Sequence, residues 1–360
     1  MDLPTYFADF LEKIRPTDSQ NEDYQTGHKT LRDRIAADKT LSPILVSDFL
    51  QGSYRRATAV RPQSGKKSDV DVVVVTALSE QEYTPAHAMA IFAPFLDKHY
   101  KDKWEYQGRS IGITLSYVEL DLVITSAPSE SQVGILKSKT LTDDTTIEEA
   151  SVRFADLTKA ATLWKTAPLR IPDREAKEWD DTHPLAQIEW TWDKNARCDG
   201  HYVNVVKALK WWCRVKHAST KYPKGYPVEH LIGLCCPNGI TSVAQGVTLT
   251  LETIVRDYKV YVDAKIKPVL PDHGVPAHDV FARLSADDFA VFYGQVADAA
   301  IIARRAYDAD TMDESADAWR ELFGSEFPPA PSNDQSTGGT KSGGFTPRVT
   351  GTALGGGRFA

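Results

Sequence analysis

The chain has 360 residues, of which 42% are apolar, 25% charged and 10% aromatic; that supports one large or two ordinary globular domains with a real core. A formal net charge of −7 gives no bulk signal for DNA, RNA or an anionic membrane as partner. No stretch approaches the roughly 18 apolar residues needed to span a bilayer, and the opening MDLPTYFADFLEKIRP has neither the basic nor the apolar region of a secretory leader, so the expected location is cytoplasmic.

A helix is expected after Thr17, which has the capping-box spacing to Gln20 and is followed by Tyr24, His28, Leu31 and Ile35 at helical intervals. A second helix is expected over 47–58, interrupted at Gly52-Ser53, and 61–67 reads as loop. The run DVDVVVV from Asp69 to Val75 is the strongest strand signal. Residues 84–100 have helical periodicity through Ala88, Ile91, Phe92 and Leu96. Period two returns over 111–125, with Val118, Leu120, Leu122 and Ile124 on one face and Glu119 and Asp121 on the other. A turn near Ser116-Tyr117 would fold this stretch into two antiparallel strands. From Ile147 the texture becomes helical, clearest over 203–216, 227–235, 241–257 and 285–307. After Pro328 the chain turns to Pro, Ser, Thr and paired Gly, a composition too poor in apolar surface to offset its ordering entropy, so 328–360 is expected to be a disordered tail.

Cys198, Cys213, Cys235 and Cys236 form no paired CxxC units. His217 and His230 lie near enough in sequence to raise zinc, but buried reduced thiols are the expectation.

Asp69 and Asp71 carry the chemistry. Two apart on a strand, their side chains share a face about 6–7 Å apart. Two carboxylates among valines repel and are costly to bury unless a divalent cation compensates them; a strand end whose aspartates face water is the bland alternative. Asp121, on a second strand-like segment, would complete a patch able to bridge two ions if the strands lie side by side. Glu119 shares that face, so either acid is open as the third. Gly52 and Ser53 supply amides and a hydroxyl at a turn before a helix, where phosphate is favoured, and Arg55, Arg56, Arg61, Lys66 and Lys67 surround them.

QGSYRRAT from Gln51, DVD from Asp69 and VELDLVIT from Val118 together resemble the polymerase-β-like nucleotidyltransferases. Within them the chain is most similar to the bacterial enzymes related to cyclic GMP–AMP synthase and oligoadenylate synthase, the CD-NTases that make second messengers in CBASS anti-phage signalling. The resemblance continues through LKWW from Leu209, GYPVEHLIG from Gly225, LPDHGVP from Leu270 and WRELFG from Trp319, and so covers all but the tail.

The resemblance implies an α+β fold, a mixed sheet flanked by helices: a nucleotidyltransferase core with the N-terminal helix over 1–150, a helical nucleotide-binding domain over 151–327 and the tail over 328–360. It implies that Asp69 and Asp71 hold two magnesium (or manganese) ions, and that Asp121 binds the catalytic one and helps deprotonate the attacking ribose hydroxyl. Gly52 and Ser53 would grip the donor's terminal phosphates. Lys210 falls where relatives place a triphosphate-contacting lysine, with a solvent-facing lysine as its alternative. Tyr54, Tyr226 and Trp211 are candidates to stack on a base, with core packing as theirs. His201, His230 and His273 are read as structural.

The implied reaction is in-line attack on the α-phosphorus of a nucleoside triphosphate, with pyrophosphate leaving. The implied product is a cyclic di- or trinucleotide or a short oligonucleotide. An RNA-tailing or small-molecule nucleotidyltransferase and a non-catalytic nucleotide sensor are the competing readings. No DNA activator and no membrane partner are expected. Because some relatives are modified at a flexible C-terminus by an accessory ubiquitin-transfer-like protein, GGGRFA from Gly355 is a candidate for such capture.

Overall fold

Alternating burial along LVSDFLQ makes β1 (Leu45–Gln51) a strand, where helix was expected over 47–58; pairing against the valine run overrides local propensity. Only α3 (Gly52–Arg55), one helical turn, follows it. The computed structural model describes residues 1–62, 65–128, 168–217, 223 and 225–331, and element labels number what lies among them. The valine run is β2 (Asp69–Thr76). The period-two stretch gives β4 (Ile111–Thr114) and β5 (Glu119–Thr125), antiparallel across a turn closed by the Val118 carbonyl accepting from Leu115 N–H at 2.9 Å. With β3 (Trp104–Tyr106) they form a five-stranded mixed sheet in the order β1-β2-β5-β4-β3. Its one parallel pair is β2–β5, and the other neighbours run antiparallel.

Both faces of β2 and β5 are covered. On one, Val70, Val72, Val74, Leu120, Leu122 and Ile124 pack under α2 (Asp18–Ala37), α4 (Pro85–Ala90) and α5 (Ala93–His99). The capping box of α2 forms: Gln20 N–H donates to Thr17 Oγ1 at 3.2 Å and Thr17 N–H to Gln20 Oε1 at 2.9 Å. The expected helix over 84–100 is two short ones, because Pro94 in the first turn of α5 cannot continue a preceding helix. On the other face Val73, Val75 and Val123 meet Leu169 and Ile171 of β6 (Leu169–Asp173) and Leu185, Ile188 and Trp192 of α6 (Pro184–Ala196).

The hairpin of β6 with β7 (Glu178–Thr182) lies in a stretch expected to be helical; pairing with a partner strand, not local periodicity, decides it. The expected onset of helix at 147, the boundary at 150/151 and nearly all of the expected tail lie outside the described residues.

A second layer is helical. Here α7 (Tyr202–Lys216), α8 (Tyr226–Cys235), α9 (Val243–Asp263) and α10 (Ala286–Asp308) correspond to the four periodic stretches. They pack with α11 (Met312–Phe323), not delimited from sequence, and with α1 (Pro4–Ile14), a separate helix ahead of the one expected after Thr17. Phe7, Phe10, Trp319, Phe323 and Phe327 form an aromatic cluster joining α1 to α11, the first and last of the described helices. All of this belongs to one compact unit, Met1–Ala330. Among the described residues the cysteines are free, with Cys198, Cys235 and Cys236 buried and Cys213 half-buried, and no three or more His, Cys, Asp or Glu side chains are gathered closely enough to hold an ion as they stand. None of the described helices is long and apolar enough to cross a membrane.

Candidate active site

The carboxylates stand at the open end of the sheet face whose other end is sealed by β6 and α6. Residues two apart share a face, so Asp69 and Asp71 continue the row of Val73 and Val75. The parallel register sets Asp71 beside Asp121 and Asp69 beside Glu119. Of the two candidates for third acid, Asp121 is half-buried next to Asp71, whereas Glu119 is exposed at the strand end.

Burial and, after it, crowding of like charge raise both carboxyls. Burial, then Asp69 and Asp121, push the Asp71 carboxyl up to about 7. Burial and Asp69 push Asp121 up to about 6, against the pull of a hydrogen bond from Gln107. Carboxylates so raised need a counter-charge to ionise together. Oxygen donors at adjacent positions on two strands are the donor set a hard divalent cation takes, and the strands fix the donors' register.

Gln107 was not found from sequence. Its Oε1 accepts from the Ser110 hydroxyl at 2.7 Å, which leaves its amide nitrogen to donate to Asp121. Gly112, the register partner of Asp121 on β4, makes room: a Cβ there would stand 2.5 Å from Gln107 Nε2.

Gly52 is fixed by the same carboxylates. It has φ of +72°, and a Cβ on it would lie 1.8 Å from Asp71 Oδ2, so only glycine turns the chain from β1 into α3 against Asp71. A cleft of about 570 Å³ opens here between the sheet and the helical layer, lined by Gly52, Ser53, Asp69 and Asp71 on one side and Lys210 and Tyr226 on the other. Arg56, Lys66 and Lys67 also line it; Arg55, Arg61, Tyr54, Trp211 and Asp121 do not. Tyr54 instead meets Tyr24 edge-on at 5.6 Å, and the Trp211 indole donates to the Phe323 carbonyl at 3.1 Å. Tyr226 is therefore the aromatic, of the three singled out, that reaches the cleft. Burial, then the Asp272 carboxylate, push its hydroxyl pKa up, and the Arg56 guanidinium lies 5.0 Å from its ring centroid.

Lys210 is not a solvent-facing lysine. Its Nζ donates to the Thr58 carbonyl at 2.9 Å and to Glu229 Oε2 at 3.4 Å; burial lowers its pKa, against the pull of Glu229. His273 stacks on Trp190 at 3.8 Å between centroids and meets the His230 ring at a tilt at 4.1 Å, and burial lowers His273 to about 3. His201 precedes α7 as its N-cap residue.

A mixed sheet with paired aspartates, a Gly-Ser turn beside them and a facing helical layer defines a polymerase-β-like nucleotidyltransferase. Residues 1–130 match the family model described as the Second Messenger Oligonucleotide or Dinucleotide Synthetase domain. The chain is 48% identical over 373 residues to the cyclic AMP-AMP-GMP synthase of Enterobacter hormaechei subsp. hoffmannii strain UCI 50, covering 96% of each chain. It is 46% identical over 375 residues to the probable cyclic AMP-AMP-GMP nucleotide synthase of Salmonella paratyphi B, again covering 96% of each. It superposes on CdnC of E. coli MS115-1 with ATP at a TM-score of 0.65 and 16% identity, covering 91% of this chain and 100% of that one, a likeness of fold. The chain belongs to the bacterial CD-NTases of CBASS anti-phage signalling, the relatives of cyclic GMP–AMP synthase and oligoadenylate synthase. It is a nucleotidyltransferase that makes a cyclic oligonucleotide second messenger from nucleoside triphosphates, which sets aside the tailing and non-catalytic readings. Enzymes of this family depend on divalent metal.

Proposed function

We propose that the product is a cyclic trinucleotide built from ATP and GTP, two adenylates to one guanylate. The support is the identity of 48% and 46%, over 96% of the chain, to two proteins named for that product. The residue roles proposed here are supported by the register that sets Asp71 beside Asp121, with Gly52 packed against Asp71.

In this reading Asp69 and Asp71 hold two magnesium or manganese ions and Asp121 holds the catalytic one. When bound, the ions offset the negative charge of the phosphates during in-line displacement. Asp121 takes the proton of the attacking ribose hydroxyl. The backbone of Gly52 and the Ser53 hydroxyl grip the donor's terminal phosphates, Lys210 adds positive charge there, and Tyr226 offers a face to a base. Catalysis is then mostly positioning and charge neutralisation. The reaction needs no DNA activator.

The test is incubation with labelled ATP, GTP, CTP and UTP plus magnesium or manganese, phosphatase treatment and mass spectrometry, beside Asp69→Asn, Asp71→Asn. A phosphatase-resistant product with two AMP and one GMP, absent from the variant, is expected. A product lacking GMP would refute the base assignment, and strict dependence on double-stranded DNA would refute independence of an activator. The C-terminal GGGRFA is the proposed target of an accessory ubiquitin-transfer-like protein; unchanged conjugation in cells after deletion of 355–360 would remove that assignment.

A further inference from the structure

Three donors from two layers of the fold converge on one carboxylate that carries no assigned role. Glu229, in the first turn of α8, is 2% exposed. Its Oε1 accepts from Arg56 Nε at 2.6 Å, and its Oε2 from the Thr58 hydroxyl at 2.8 Å and Lys210 Nζ at 3.4 Å. Arg56 and Thr58 follow immediately on the Gly52-Ser53 turn, which they tie to its surroundings: Arg56 N–H donates to the Gly52 carbonyl and Thr58 N–H to the Ser53 carbonyl. Lys210 comes from α7. One anion therefore faces two cations, and all three line the cleft that holds Gly52 and Ser53.

A pair and a half of charges is an odd way merely to glue two layers. Apolar side chains do that as well or better, and removing one partner of a buried ion pair leaves the other uncompensated. What the carboxylate does here, and an apolar contact would not, is withhold positive charge from the cleft. The triphosphate end of a nucleotide, and the pyrophosphate left after each condensation, are polyanions. Two unpaired cations beside Gly52-Ser53 would hold both more tightly. A cyclic product takes several rounds of condensation, and each must shed its pyrophosphate before the next.

We propose that Glu229 is a charge-balancing positioning residue that acts through Arg56 and Lys210, setting how strongly the phosphate end of the cleft retains a nucleoside triphosphate and its pyrophosphate. This rests on the reading that Gly52 and Ser53 face those phosphates. Burial by itself would raise the Glu229 carboxyl, but Arg56 and Lys210 outweigh it and hold it down to about 2, so the anion persists at any working pH.

The experiment is calorimetric binding of magnesium pyrophosphate to Glu229→Gln and to the wild type, with steady-state kinetics of both. Glu229→Gln is expected to bind magnesium pyrophosphate about tenfold more tightly, with a lowered KM for ATP and a kcat reduced about tenfold, as for a product that leaves slowly. A residue that only braced the turn would move both constants the other way: affinity weakened or unchanged, with KM raised, overturns the proposal. If Glu229→Gln does not fold, the comparison is made between Lys210→Met and Lys210→Met, Glu229→Gln, the latter lacking one charge of each sign. The double variant is expected to bind pyrophosphate more tightly than Lys210→Met alone, and equal or weaker binding overturns the proposal. Wild-type protein that makes product but binds no magnesium pyrophosphate would overturn the phosphate assignment, and this proposal with it, while leaving the reaction standing.

Discussion

At the scale of single residues, Gly52 and Asp71 define each other. Gly52→Ala forces a Cβ into the space of Asp71 Oδ2 and an L-residue into φ +72°, so it is expected to cut product formation at least about a hundredfold while costing roughly 1–2 kcal/mol of stability. Product quantitation and urea denaturation read the two effects separately, and wild-type activity would refute the close approach. Asp71 also predicts a pH dependence. Its native carboxyl holds its proton up to about pH 7, whereas the unfolded chain releases it near pH 4. The native state therefore binds more protons through that window, and the stability of metal-free protein falls as pH rises through it, levelling above. Asp71→Asn is expected to abolish synthesis yet to raise the Tm of metal-free protein at pH 8 by a few degrees and to flatten that slope. Thermal unfolding in chelator at pH 5, 6.5 and 8 checks this. The acid pair was legible because DVD opens a valine run that can only be a buried strand. Glu229 was not, since it matters through a partner distant in sequence, Arg56, 173 residues away; nor was Gln107, whose amide reaches Asp121 from a neighbouring part of the sheet and carries no motif.

At the scale of elements, the site depends on what seals the far end of its sheet face. Ile188 of α6 packs there with Val73, Val75 and Val123, and Ile188→Ala is expected to cost about 2–5 kcal/mol, read by chemical denaturation, with kcat reduced less than stability in proportion. The β6–β7 hairpin ran against the helical texture expected from Ile147, and α6, which agrees with that texture, was not delimited in the sequence. The hairpin's residues make sense as strands only against each other, and α6 opens on Pro184 with His183, not a hydroxyl or carboxylate, capping its N-terminus through Nδ1 to Ala186 N–H at 3.2 Å. The same blindness turned β1 into an expected helix, because a short stretch of mixed apolar residues fits either period until a partner strand chooses. The helices α7 to α10, long and periodic, were legible to within a few residues at their starts.

At the scale of the molecule, every described core belongs to Met1–Ala330, with Phe327 fully buried and Ala330 packed against the helical core. A chain ended at Ala330 is therefore expected to keep its Tm within about two degrees and its synthetic rate within about twofold; loss of either would place part of the catalytic apparatus in the last thirty residues. The parallel pairing of β2 with β5 has a consequence for how such a chain can change length. The two strands are in step without a bulge from Asp69–Glu119 to Val75–Thr125, so one residue gained or lost between Val118 and Asp121 would swing the acid to the opposite side of the sheet, under α2, and put a leucine among the carboxylates. Strand β5 can therefore change length without losing its register only in its flanking turns or by two residues, a parity set by the sheet as a whole and by no single contact.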